Sequence, residues 1–234
     1  VCMALAQGGM AFPSYQVFPL RYLWPCFFMW LAGSYLTAPS TTKYALGALC
    51  CGIAALWNLD TGLVAAISWV GFLAYNTWSR DSIPLARRIW TSVGHALGCA
   101  ASLLLAGLGY TLFAYLRAHT LPHWMEILKY QALFMKYGYG LLPMKPVDLW
   151  NIVACIYLIA AFICLRGLFD RKVTNAMRFD LFLVLFGVGG LSYFQGRSTE
   201  GTLLACAYPA VILAGGMLHD QWDAAGIVGH QQKR

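Results

Sequence analysis

Arg197, Ser198, Thr199 and Glu200 follow one another directly between two long apolar runs. A guanidinium followed by two hydroxyls suits the recognition of an anion, with the Glu200 carboxylate next in line. Arginine supplies a planar fork of donors that matches phosphate in a bidentate way. The hydroxyls add short-range partners, and Gly196 lets backbone approach closely. With Ser198 or Thr199 as a cap, a helix opening near Gly201 would turn its positive N-terminal dipole toward the same place. Two plainer readings stand beside this one. Arg197 is an interfacial anchor that snorkels to headgroups, or it forms an internal ion pair with Glu200.

A second chemical candidate is Asp60, in the turn "WNLDTG". A carboxylate in a deep turn can orient a hydroxyl or act as a base. The plainer reading makes Asp60 the N-cap of the helix that begins near Gly62, with Trp57 as a belt aromatic. His95 stands alone in an apolar run without metal-ligand spacing, and packing against a neighbouring helix is expected of it. His119 and His123 read as wet surface histidines. The pair Gly189-Gly190 reads as close helix packing.

These residues must be positioned by elements that cross a membrane. Of the 234 residues, 60% are hydrophobic and only 11% charged, where a soluble domain carries about 25% charged. Mean hydropathy is +0.61. Several runs approach the ~20 apolar residues that a ~30 Å hydrocarbon core requires. The expected fold is therefore all-α, a polytopic bundle of about seven spans near 23–38, 44–58, 62–78, 91–117, 148–168, 180–195 and 201–218. The run 44–58 would cover only about 22 Å, so its hairpin with 62–78 either thins the bilayer or leaves its turn below the surface. Between the fourth and fifth spans, Trp124, Ile127, Leu128, Phe134 and Met135 recur at helical spacing among Glu126, Lys129 and Lys136. That pattern fits an amphipathic interfacial helix, or an ordinary surface helix. Residues 1–218 form one membrane domain, and 219–234 a short polar tail.

The net charge of +7 comes from loops rather than a basic run, and no nucleic-acid motif accompanies it. If the spans alternate, one side holds ten of the sixteen Lys and Arg, among them Arg80, Arg87, Arg88 and Arg171, and the other side six. The richer side is expected in the cytoplasm. Asp60 and Arg197 then share the opposite face. Seven of the eight cysteines lie in apolar runs, where thiols behave as small hydrophobes. No metal site or cofactor is read from the sequence, and a divalent metal stays open. Because the chain opens on Val1 rather than Met, it is expected to be the C-terminal part of a longer protein.

The stretches "PLRYLWP", "WNLDTG", "YGYGLLPMKP", "YFQGRS" and "YPAVIL" together resemble the C-terminal portion of the polytopic GT-C glycosyltransferases. The resemblance spans about residues 13–218. It implies sugar transfer from a polyprenyl-phosphate-linked donor outside the cytoplasm, at the plasma (inner) membrane, with the main catalytic carboxylate in a loop upstream of Val1. It implies Arg197, with Ser198, Thr199 and Glu200, as the donor-phosphate site, and Asp60 as a weaker contact. Membrane lipid, the lipid-linked donor and the missing upstream part of the chain are the implied partners. The rival expectation is a non-enzymatic transporter, flippase or scaffold. Ion-coupled transport fits poorly, because the spans carry almost no ionisable groups.

Overall fold

Seven α-helices account for nearly all of residues 22–126, 129, 144–196, 198 and 200–224, the residues that the computed structural model describes. They are α1 (Leu23–Thr37), α2 (Thr41–Trp57), α3 (Leu59–Trp78), α4 (Leu85–Ala118), α5 (Leu149–Phe169), α6 (Asn175–Gly196) and α7 (Glu200–Ala224). Each coincides with one expected run. Among the described residues no strand occurs. Of the expected interfacial helix, most of 127–143 lies outside the described residues.

Among the described residues, four helices are long and apolar enough to cross a membrane: α4 to α7. The expectation of seven spans is thus supported at four. For α3 the shortfall is compositional. Its 20 residues reach about 30 Å, but Thr61, Ser68, Asn76 and Thr77 are polar and buried. The tertiary structure accounts for this, because α3 is the central helix and packs against α1, α2, α4 and α6. A helix surrounded by protein needs small and hydrogen-bonding residues for close approach, not a lipid-facing coat. At its centre Trp69 and Phe72 are fully buried, with the buried Phe28 of α1 against Trp69. α4 is the converse. It is 34 residues long, and Cys99 and Ser102 are its only buried side chains, so its apolar surface faces outward.

α2 and α4 run side by side in the same direction, joined by a polar seam. Tyr44 Oη lies 3.0 Å from His95 Nδ1, and Thr77 Oγ1 of α3 lies 3.2 Å from Nε2. Two turns on, the Gly52 backbone N–H donates to Ser102 Oγ at 3.0 Å, and that hydroxyl donates to the Leu49 carbonyl at 2.9 Å. At Gly52 a Cβ would strike the backbone of Ser102, so glycine is what allows the two helices to touch. His95 is therefore a packing residue between three helices.

The same register locates the hairpin turn. Ala118 ends α4 sixteen residues past Ser102, whereas Trp57 ends α2 five residues past Gly52. At ~1.5 Å per residue, the end of α4 stands about 16 Å beyond the turn. Measured against α4, the turn is recessed. Trp124 folds back on the overhang, donating to Thr111 Oγ1 at 3.1 Å and meeting the Tyr110 ring edge-on.

Candidate functional site

The turn between α2 and α3 is a single residue. Asn58 has extended backbone (φ −155°, ψ 110°), and its side chain accepts from Thr61 N at 3.0 Å and from Thr61 Oγ1 at 3.1 Å. Asn58 is thus the N-cap of α3, which corrects the reading of Asp60 as the cap. Asp60 sits one residue inside the helix, in its first turn. There the carboxylate meets the positive end of the helix dipole, a contribution of about 0.3–1 kcal/mol.

Asp60 also lines a cleft. α3 contributes Asp60, Thr61 and Val64, α6 contributes Gly189, Gly190 and Tyr193, α7 contributes Ala205 and Cys206, and Tyr22 closes it at the start of α1. Its volume is about 20 Å³, room for about one water. The cleft exists because α6 approaches so closely. A Cβ on Gly189 would meet the Val64 side chain, and the Gly190 carbonyl accepts from Cys206 Sγ at 2.9 Å. Behind it, the buried Tyr157 donates to the Cys206 carbonyl at 2.7 Å, tying α5 to α7. Tyr22 rests edge-on against Tyr208.

The chain segment 197–199 joins α6 to α7 at this same end of the bundle. Arg197 and Thr199 lie outside the described residues. Ser198 is placed, and its hydroxyl donates to the Phe194 carbonyl at 3.3 Å, satisfying one of the open carbonyls at the end of α6. Glu200 is exposed in the first turn of α7, where its charge complements the helix dipole. A helix start next to Gly201 is as expected. Asp60 and the 198–200 stretch thus share an end of the bundle, as the alternation of spans required.

His119 caps α4 in the left-handed conformation (φ 52°) and is exposed. Neither it nor His123 lines the cleft. Among the described residues no group of three His, Cys, Asp or Glu could hold a metal. Two tyrosines of the cleft, Tyr22 and Tyr193, were not singled out by sequence reasoning. Both had a signal: they stand inside "PLRYLWP" and "YFQGRS". Tyr22, Asp60 and Tyr193 therefore meet around one cavity. No protein-family model matches the chain, and neither a curated protein nor a solved structure matches it.

Proposed function

We propose that the chain is part of an integral-membrane glycosyltransferase, transferring a sugar from a lipid-phosphate-linked donor at the bundle end that carries Asp60. One observation supports this above the others. Tyr22, Asp60 and Tyr193, far apart in sequence, line one cleft at the end where segment 197–199 connects α6 to α7. In this reading Asp60 accepts a hydrogen bond from a substrate hydroxyl, and Arg197 takes the donor phosphate. The recessed turn suits a substrate whose lipid tail lies in the bilayer. A non-enzymatic reading, as transporter, flippase or scaffold, draws support from the size of the cleft, which has room for about one water.

The test is donor binding. The full chain in nanodiscs is titrated with a polyprenyl-phosphate-linked sugar in the absence of acceptor. Arg197→Lys keeps the charge but loses the fork, and should weaken binding; Arg197→Ala should weaken it further, by about tenfold or more. Unchanged affinity in Arg197→Ala leaves the arginine a snorkelling anchor and favours the non-enzymatic reading.

The Asp60 end is assigned to the extracytoplasmic face of the plasma membrane. Among the described residues, Lys43, Arg80, Arg87, Arg88, Arg166, Arg171, Lys172 and Arg178 lie at the opposite end, against Arg117, Lys129 and Lys145 at this one. Such an excess belongs to the cytoplasmic side. Single cysteines at Leu85 and Thr174, both exposed, should resist a membrane-impermeant thiol reagent added to intact cells. Labelling of either from outside reverses the orientation.

A further inference from the structure

The Asp60 cleft has room for about one water, so a sugar ring cannot enter it unless a wall moves. One wall, α7, carries a proline. Pro209 stands inside that helix. It has no N–H, so the carbonyl four residues back, that of Ala205, has no intrahelical donor. Ala205 and Cys206 are the two α7 residues that line the cleft. The backbone of α7 is therefore weakest at the turn that forms the cleft wall.

The two sides of Pro209 are held differently. Beyond it, Ala210 and Leu213 are fully buried. At the far tip before it, Glu200 and Gly201 are exposed, and a Cβ on Gly201 would meet open space. At ~1.5 Å per residue the arm Glu200–Tyr208 is about 13 Å long, so a small rotation at its base moves the tip much further. The polar fastening of this arm to its neighbours is concentrated at Cys206. Its carbonyl accepts from Tyr157 of α5 at 2.7 Å, and its thiol donates to the Gly190 carbonyl of α6 at 2.9 Å. Tyr208, next to the proline, rests on the rings of Tyr22 and Phe186, and both of these line the cleft. A rotation at Pro209 thus reaches the cleft from α7 directly and from α6 and Tyr22 through those rings.

We propose that the arm Glu200–Tyr208 is a gate on the Asp60 cleft. It turns about Pro209, and Cys206 is its latch. Closed, the cleft takes one water; open, it admits a hydroxyl-bearing substrate. The substrate rests on the glycosyltransferase reading; the motion does not.

The full chain in nanodiscs, with no donor present, is exposed to N-ethylmaleimide, and alkylation of each cysteine is timed by peptide mass spectrometry. Cys206 is buried, so its rate reports how often the arm opens. Cys164 is the reference, a buried thiol of α5 that donates to the Met177 carbonyl at 3.3 Å. Tyr157→Phe keeps the ring that packs on Gly187 and removes one latch bond. It should speed Cys206 by about fivefold and Cys164 by less than about twofold. Pro209→Ala restores the missing backbone donor and should slow Cys206 by about fivefold. Equal acceleration of both cysteines in Tyr157→Phe would be general loosening and would overturn the gate. So would an unchanged Cys206 rate in Pro209→Ala, a variant that decides the matter even where Tyr157→Phe does not fold. If the gate behaves as expected in a protein that binds no lipid-linked sugar, the gate stands and only the substrate reading falls.

Discussion

Gly62→Val should lose about 3 kcal/mol of stability or more, the largest single-residue effect expected in the bundle. A Cβ at Gly62 would run into the Ala54 carbonyl and the following backbone nitrogen. Backbone cannot rotate aside as a side chain can. The hairpin turns on one residue, Asn58, so α2 and α3 have no slack with which to separate. Opening them would also displace α3 from the centre, where it meets four other helices. Thermal unfolding in detergent, followed by size-exclusion fluorescence, measures the loss. Gly94→Ala is the matched control. A Cβ there meets nothing within 4 Å, so alanine should be neutral or stabilise α4 by about 0.5–1 kcal/mol. Equal melting temperatures for Gly62→Val and the native chain would refute the close crossing of the hairpin.

On the proposed reading, Asp60→Asn should reduce sugar transfer by the full-length enzyme by about 100-fold while leaving the protein folded. That is the low end of the loss expected when a positioned carboxylate gives up its charge and basicity. The substitution keeps shape and removes charge, so its cost in stability is confined to the first-turn dipole term, about 0.3–1 kcal/mol. Asn58→Ala supplies the contrast. It deletes the cap that holds Thr61 N and Thr61 Oγ1, and should lower stability by about 1 kcal/mol with transfer per folded molecule retained. Turnover and melting are measured on both. Native turnover in Asp60→Asn, with Asn58→Ala behaving as expected, would make the carboxylate a structural charge and leave the catalytic role elsewhere.

The linear arrangement was legible because it is local. Apolar runs between "APSTTK", "NLD", "RDSIP" and "DRKVTN" place seven helices close to where they are found, since a run of apolar residues and its polar punctuation are properties of neighbouring positions. The same holds for the helix that begins beside Gly201, and for the gathering of Asp60 and the 198–200 stretch at one end, which follows from alternation alone. Which residue caps α3 was not legible. Asn58 and Asp60 are both good caps by type, and the choice rests on the backbone angles of Asn58, set where α2 stops.

What lies beyond local pattern was decided by packing. The polar residues of α3 look like a weak span until that helix is seen at the centre of the bundle. Gly62, Gly52 and Gly189 read alike in sequence as small residues, and only the crossings show what each one admits: the Ala54 carbonyl, the Ser102 backbone and Val64. Tyr22, Asp60 and Tyr193 come together across more than half the chain. No periodicity records such meetings. Local sequence determines where helices form and which end of the bundle each loop reaches; the distances of closest approach between helices determine which side chains share a cavity or a charge, because those distances depend on every contact surface at once.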